Sequence, residues 1–376
     1  MYKVKIRTRQ KTYPVYLGQG GKALDNAGRI ISSYLPACTA LVISDKNVAA
    51  HYGERCLESL RKRGFKPFLE VLDGGEKEKS LASASALYSS ALEAGMDRSA
   101  IIIALGGGVI GDLAGFVAAT YLRGIPYVQL PTTLLAMVDS SVGGKVAVNH
   151  PLGKNLIGVF YQPTLVVADE STLNTLPERE FNAGLAELIK YGIIRDKTLF
   201  EKFELLLFAA KDTSPKKYLL EMNSSRLLKY IIRAVIIKGE IVSQDEREKD
   251  LRRILNFGHT FGHALEAVTN FNYYLHGEAV ACGMAMAARL AVLLGILDPP
   301  FEQRIIALLK RLHVHPPPGG LNPDVVTKAL FYDKKKEGEE LVFILPTALG
   351  QTTAFKAPPA LLIERVIEEY LDGGLL

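Results

Sequence analysis

Cysteine is scarce in this chain. Cys38, Cys56 and Cys282 are the only three, they lie far apart, and no C-x-x-C pair occurs. That argues against a disulfide framework and for a reduced, cytoplasmic setting. No apolar run reaches transmembrane length, so a membrane partner is not expected. The opening residues, Met1 to Arg7, alternate like a strand and lack the apolar core of a signal peptide. There is no long basic run, and the net charge of +5 is spread along the chain. That charge suits a small anionic ligand and gives no reason to expect nucleic acid. No internal repeat or low-complexity tract is visible. What remains is a globular composition, 48% hydrophobic and 23% charged, in 376 residues, enough for two domains with their own cores.

The most informative stretch runs from residue 101 to 158. Ile101-Ile102-Ile103-Ala104-Leu105 reads as a buried strand, Gly106 to Asp112 as a glycine turn, and Leu113 to Ala119 as helix. Backbone N–H groups at such a helix start bind anions. Gly106, Gly108 and Gly111 fit the G-x-G-x-x-G spacing of a dinucleotide fingerprint, a weak signal by itself because ordinary βα turns also carry it. The acid expected about 20 residues later to hold a ribose is missing, since that region reads Leu130-Pro131-Thr132-Thr133. Two glycine–lysine clusters follow, around Gly143-Gly144-Lys145 and Gly153-Lys154-Asn155, and suit a loop that closes on an anion.

Strands alternate with helices up to about residue 170, which predicts an α/β domain with a mainly parallel, Rossmann-like sheet. Beyond residue 176 the periodicity is almost entirely helical, with one short strand expected at 341–345. The expected division is therefore an α/β domain over 1–176 and a mainly α-helical domain over 177–376. Asp45 ends a predicted strand at 39–44. The residues alone leave it open between a ribose-holding acid and a helix N-cap.

His259 and His263 are four apart and would share a helix face. Thr260 stands where a zincin motif needs glutamate. His276 opens a further helix, and Glu187 lies in the apolar run Leu185 to Ile189, where an unpaired carboxylate is costly. Two histidines, a carboxylate and an open position make the logic of a catalytic metal site.

The segments GGGVIGDLAGFVAATYLRG, LPTTLLAMVDSSVGGKVAVN and GKNLIGVFYQP, with GLAELIK, LNFGHTFGH and HGEAV further on, together resemble the 3-dehydroquinate synthase family over residues 40 to 350. The resemblance implies an NAD-binding first domain and a metal- and substrate-binding second one. It implies conversion of 3-deoxy-D-arabino-heptulosonate 7-phosphate to 3-dehydroquinate and phosphate in the shikimate pathway. The route would be transient NAD-dependent oxidation, phosphate elimination, re-reduction and an internal aldol step. One divalent ion, zinc or cobalt, would sit on Glu187, His259 and His276. NAD contacts are implied at Asp45, Asn47, Glu76 and Lys79, then at Gly107, Gly108, Val109 and Asp112, and finally at Thr132, Thr133, Lys154 and Thr175. Lys238 and Arg252 would take the carboxylate of the sugar acid. Lys145, Asn155, Asn256 and His263 would take its phosphate, with Arg123 reaching across a homodimer interface. One lysine of the 334–336 run, Lys334 or Lys335, would join them, and Asp139 and Lys190 would hold hydroxyls near the metal. The chain departs from the family pattern at Asp250, where a glycine is usual, so the turn before Arg252 is open to question. A sister sugar-phosphate cyclase and a metal-dependent polyol dehydrogenase are the alternative enzymes. The first lacks a substrate carboxylate for Arg252 and Lys238, and the second has no need of so many lysines. A non-enzymatic NAD-binding module would leave Glu187 and the histidines unexplained.

Overall fold

The structure is a computed structural model. It describes residues 1–211, 213–337 and 341–376, with the side chains of residues 222, 223 and 332–337 excepted. Lys334 and Lys335 therefore lie outside the described side chains. Contacts divide the chain into two units: Met1–Leu176 with Ser224–Arg247, and Pro177–Asn223 with Glu248–Leu376.

The first unit is built on a seven-stranded sheet. In chain order its strands are β1 (Tyr2–Arg7), β2 (Thr12–Gly18), β3 (Thr39–Asp45), β4 (Lys66–Leu72), β5 (Ile101–Gly106) and β6 (Tyr127–Pro131), closed by β9 (Leu165–Asp169). Their spatial order is β1-β2-β9-β6-β5-β3-β4. Only β1 and β2 run antiparallel, and every other pairing is parallel. β5 and β9 are buried along their whole length, as continuous apolar runs in a sheet covered on both faces require. The period of two assigns the faces. Leu41, Ile43, Ile102 and Ala104 pack with Leu87, Leu113 and Val117. Ala40, Val42, Ile101 and Ile103 pack with Ile30, Leu57 and Leu60 on the other side.

Two expectations are corrected in this unit. The glycine–lysine clusters are not an open loop. Lys145 and the Gly153–Asn155 cluster lie in an antiparallel hairpin, β7 (Lys145–His150) with β8 (Gly153–Phe160), whose register shifts between Val148 and His150, and Gly143 and Gly144 precede it. A linear division at residue 176 also fails to describe the helix Asn223–Gln244, most of which belongs with the first unit. The reason is packing and polar pairing. Gly239 lies close to Ile6, Lys238 bonds Asp139, and Glu246 accepts from Arg9 N and Gln162 Nε2 at 3.0 and 2.9 Å.

The second unit is mainly helical. Its helices include Glu178–Ile194, His259–Val268, His276–Leu293 and Ala360–Leu371. The single strand expected at 341–345 is half of a second hairpin, β10 (Val342–Ala348) with β11 (Gln351–Lys356). No helix among the described residues is long and apolar enough to cross a membrane.

One carboxylate closes the first unit. Asp169, at the end of β9 and 3% exposed, accepts from Gly21 N, Ala23 N and Leu24 N at 3.0, 2.6 and 3.2 Å. It also accepts from Ser171 N and Oγ. Asp169→Ala would leave several buried donors without an acceptor and should destabilise this unit by about 2–3 kcal/mol. Urea denaturation followed by circular dichroism should show a clearly lower midpoint, and an unchanged midpoint would refute the assignment.

Candidate active site

In the first unit, most of the residues expected to hold NAD lie at the carboxyl ends of the parallel strands, while Lys154 lies in the β7–β8 hairpin. Asp45 ends β3, Glu76 and Lys79 follow β4, Gly107 to Asp112 follow β5, Thr132 and Thr133 follow β6, and Thr175 follows β9. The chain passes outward from β3 to β4, then returns to β5 on the other side of β3. The crevice between β3 and β5 is thus a topological switch point, where open α/β sheets bind ligands.

Local geometry fits a nucleotide there. The helix Gly108–Thr120 starts from an extended Gly107 and has no side-chain cap, so its first amides face the crevice as donors. A Cβ on Gly107 would come within 3.0 Å of Thr133 Cγ2, and one on Gly108 within 3.2 Å of Ser140 Oγ. Thr132 Oγ1 and Ser140 Oγ are buried and have no hydrogen-bond partner among the described residues. Asp45 does serve as an N-cap, accepting from Asn47 N and Val48 N at 2.9 and 3.1 Å. Thr175 lies just before the helix that starts at Glu178. Its hydroxyl is 2.7 Å from Tyr52 OH.

Lys79 is 5% exposed and sits between Asp112 Oδ2 and Asn155 Oδ1, 2.5 Å from each. Burial pushes the Asp112 carboxyl above its ordinary range, and the Lys79 charge opposes that shift. Asn149 ties this group together. Its side chain donates to Glu76 Oε1 at 2.7 Å and accepts from Asn155 N at 2.9 Å. Sequence reasoning did not single out Asn149, although it ends one of the motifs that carried the resemblance. Asn155 takes a left-handed φ of 58°, a conformation asparagine tolerates well.

The cationic residues of this unit have distinct settings. Lys238 Nζ donates to Asp139 O and Oδ1 at 2.7 and 2.6 Å, so the two expected site residues meet. Lys145 is exposed at the start of β7, and Lys154 is half-buried in β8. Arg123 is exposed and follows Leu122, with φ values of 70° and 47° for the two. Two consecutive left-handed residues store strain of the kind found at functional loops.

In the second unit, Glu187, His259 and His276 converge. Their ligand atoms lie within 4.8 Å of one another. His259 Nε2 and His276 Nε2 are 3.7 and 3.9 Å from Glu187 Oε1. Glu187 is 1% exposed. Neither of its oxygens accepts a hydrogen bond of ordinary geometry, although Lys190 Nζ lies against Oε2. A buried carboxylate facing two imidazole nitrogens fits a divalent ion of the zinc or cobalt kind with a coordination position left open. His259 Nδ1 is 3.1 Å from Phe257 O, which directs its other nitrogen toward Glu187. Burial and then the Lys190 charge pull the His259 pKa well below the ordinary imidazole value. Burial also lowers His276, but Glu266 and Glu187 outweigh it and leave the pKa raised. His263 is exposed, its ring centroid 5.4 Å from His259 and 6.0 Å from His276.

The sequence explains this convergence through small residues. A Cβ on Gly277 would fall 2.0 Å from Ala183 O, and one on Gly283 would fall 1.9 Å from Gly258 O. The helix that starts at His276 can therefore touch both the Glu187 helix and the turn before His259. Arg179 clamps the same junction, donating to both oxygens of Glu278 at 2.8 and 2.7 Å. Glu278 also accepts from Leu275 N at 2.8 Å. Arg179, Glu266 and Glu278 were missed because their partners are distant in sequence.

Arg252 is buried and Asn256 donates to Glu248 Oε1 at 2.6 Å. The turn questioned at Asp250 closes with φ −149° there and a left-handed 58° at Glu248. Gly277→Ala should drive the two helices apart and weaken metal binding by at least about tenfold, with a loss of stability of the overpacking size, about 1–3 kcal/mol. Isothermal titration of zinc into the metal-stripped variant checks it, and wild-type affinity would show that the contact does not set the site.

Residues 69–183 match the family model described as 3-dehydroquinate synthase N-terminal, and residues 184–336 match 3-dehydroquinate synthase C-terminal. A 3-dehydroquinate synthase of Desulforamulus reducens is 46% identical over 356 residues, 94% of this chain and 96% of that protein. Among solved structures, 2-epi-5-epi-valiolone synthase from Streptomyces hygroscopicus subsp. jinggangensis, with NAD+ and Zn2+ bound, aligns with a TM-score of 0.85 at 27% identity. That alignment covers 98% of this chain and 99% of the other. A 2-deoxy-scyllo-inosose synthase complexed with carbaglucose-6-phosphate, NAD+ and Co2+ aligns with a TM-score of 0.83 at 28% identity, covering 98% of this chain and 100% of the other. With family models spanning both halves and a near full-length relative at this identity, the chain belongs to the 3-dehydroquinate synthase family.

Proposed function

We propose that the chain is a carbon–oxygen lyase that converts 3-deoxy-D-arabino-heptulosonate 7-phosphate to 3-dehydroquinate and orthophosphate, using NAD and one divalent metal. The observation that carries this reading is the family match through residues 69–336, joined to the group made by buried Glu187 with half-buried His259 and His276. When bound, the metal would supply Lewis-acid polarisation of a substrate hydroxyl, and NAD would supply reversible hydride storage.

The chain's own residues supply binding and orientation. Glu187, His259 and His276 are assigned to the metal. From the first unit, the amides of Gly108 and Val109 hold the dinucleotide, with Thr132, Thr133 and the Lys79–Asp112 pair beside them. Asp45, Asn47, Glu76, Lys154 and Thr175 complete the nucleotide contacts. Lys145 and Asn155 are assigned to the phosphate, Lys238 to the carboxylate and Asp139 to a hydroxyl. The Asp139 carboxylate fixes the direction of the Lys238 ammonium. From the second unit, Arg252 is assigned to the carboxylate, Asn256 and His263 to the phosphate, and Lys190 to a hydroxyl. Arg123, on its strained exposed loop, is assigned to the site of a second copy in a homodimer. The three cysteines are free thiols, in keeping with a cytoplasmic enzyme. Positioning of this kind contributes several kcal/mol to the barrier reduction when orientation is good.

Two measurements test the reading. Glu187→Ala, His259→Ala and His276→Ala should each abolish stoichiometric metal, while His263→Ala keeps metal and loses activity. Metal analysis of the four proteins decides it, and a His263 variant stripped of metal beside a His276 variant that retains it reverses the ligand set. The second measurement concerns the cofactor. The phosphorylated sugar acid should release orthophosphate through many turnovers on a trace of NAD without steady NADH absorbance. A heptulose 7-phosphate lacking the carboxylate should be a poor substrate. Stoichiometric NADH from a simple alcohol, with no phosphate released, would establish a dehydrogenase instead.

A further inference from the structure

His276 has two ring nitrogens with different neighbours. Nε2 faces Glu187 Oε1 at 3.9 Å, and Nδ1 lies 3.3 Å from Glu266 Oε2. Glu266 is 3% exposed. It sits on the helix His259–Val268, seven residues after His259 and three after His263, so a carboxylate from the helix that carries one ligand reaches the ligand at the start of another.

A neutral imidazole carries one proton, and only the bare nitrogen can ligate a metal. The free ring can place that proton on either nitrogen. A carboxylate at Nδ1 accepts a hydrogen bond and contributes nothing if the proton moves to Nε2. Glu266 therefore holds the proton on Nδ1 and leaves the Nε2 lone pair directed at the position beside Glu187. It also fixes the plane of the ring and makes the imidazole a better donor.

We propose that Glu266 is a positioning residue for the metal, acting through His276 by selecting its tautomer and orientation. This rests on the assignment of Glu187, His259 and His276 as metal ligands.

The end of the helix is closed by the Glu266 backbone carbonyl, which accepts from Phe271 N at 2.8 Å and from Thr269 Oγ1 at 3.2 Å. Glu266→Gln leaves that carbonyl in place and nearly preserves the shape of the side chain. It removes the charge and gives the ring a partner that can either donate or accept.

The test compares wild type, Glu266→Gln and Glu266→Asp after metal removal by a chelator. Zinc affinity is measured by competition with a chromophoric chelator, the cobalt-loaded proteins are examined by visible absorption, and the metal-free proteins by thermal unfolding. Wild type should hold one equivalent of zinc. Glu266→Gln should bind it about 10- to 100-fold more weakly, with an altered cobalt spectrum and an unchanged unfolding temperature without metal. If the glutamine variant unfolds early, the aspartate variant decides. Weakened zinc binding there supports the proposal, and wild-type binding overturns it. One equivalent of zinc in wild type with unchanged affinity in Glu266→Gln overturns the positioning role alone. A wild-type chain that holds no zinc overturns the ligand assignment together with it. Two equivalents in wild type, one of them lost in Glu266→Gln while the first stays tight, would make Glu266 a ligand of a second ion with His263 and also overturn the proposal.

Discussion

A carboxylate withdrawn from water without ordinary hydrogen-bond donors is costly, on the order of several kcal/mol for the isolated ion. The second unit is arranged around that problem. Glu187 lies among Leu185, Ala186, Leu188 and Ile189, all of them buried. The ammonium of Lys190 stands against one oxygen, and two imidazole nitrogens face the other. An apolar residue would avoid the penalty, so the arrangement makes physical sense as a place prepared for a cation. The same burial disfavours the charged form of His259, and it is the neutral ring that has a lone pair to give. The glycines at 277 and 283 belong to this solution too, because any side chain there would hold the ligand-bearing helices apart.

The first unit answers the reverse requirement, which is to offer donors without stranding them. Parallel strands end at one edge, and the uncapped start of the helix Gly108–Thr120 puts backbone amides there. Around it the polar groups are held by one another. Lys79 is shared by Asp112 and Asn155, Asn149 braces Glu76, and Asp139 directs Lys238. These pairs keep the side chains ordered before any ligand arrives, which lowers the entropy lost on binding.

Much of this was legible in the sequence because it is local. The apolar run at 101–105, the glycine turn after it, and histidines four apart on a helix are short-range patterns with a definite period. The hairpin at 145–160 was not legible. Its glycines and lysines resemble a loop, and only pairing along the register from Lys145–Phe160 to His150–Gly153 makes it a sheet. The second strand of the 342–356 hairpin escaped notice because Gln351 to Lys356 is polar and half-exposed. Glu266, Glu278 and Arg179 look like ordinary helical charges until the helices are packed. Asp250 shows the opposite case: the usual glycine suggests a special turn, yet the left-handed residue is Glu248.

The helix Asn223–Gln244 carries the clearest lesson about domains. A composition shift at residue 176 suggests a simple linear cut, but a chain ending there would lack several partners of its own unit. Arg9 N and Gln162 Nε2 would lose Glu246, Asp139 would lose Lys238, and Ile6 would lose the close backbone of Gly239. Gln162 is almost fully buried, so its amide would be left without its charged acceptor, a loss on the order of 1–3 kcal/mol. The first unit is thus complete only with a segment that follows the first helices of the second. The return of that segment is also what delivers Lys238 to Asp139, so chain topology and the candidate site are two consequences of one packing arrangement.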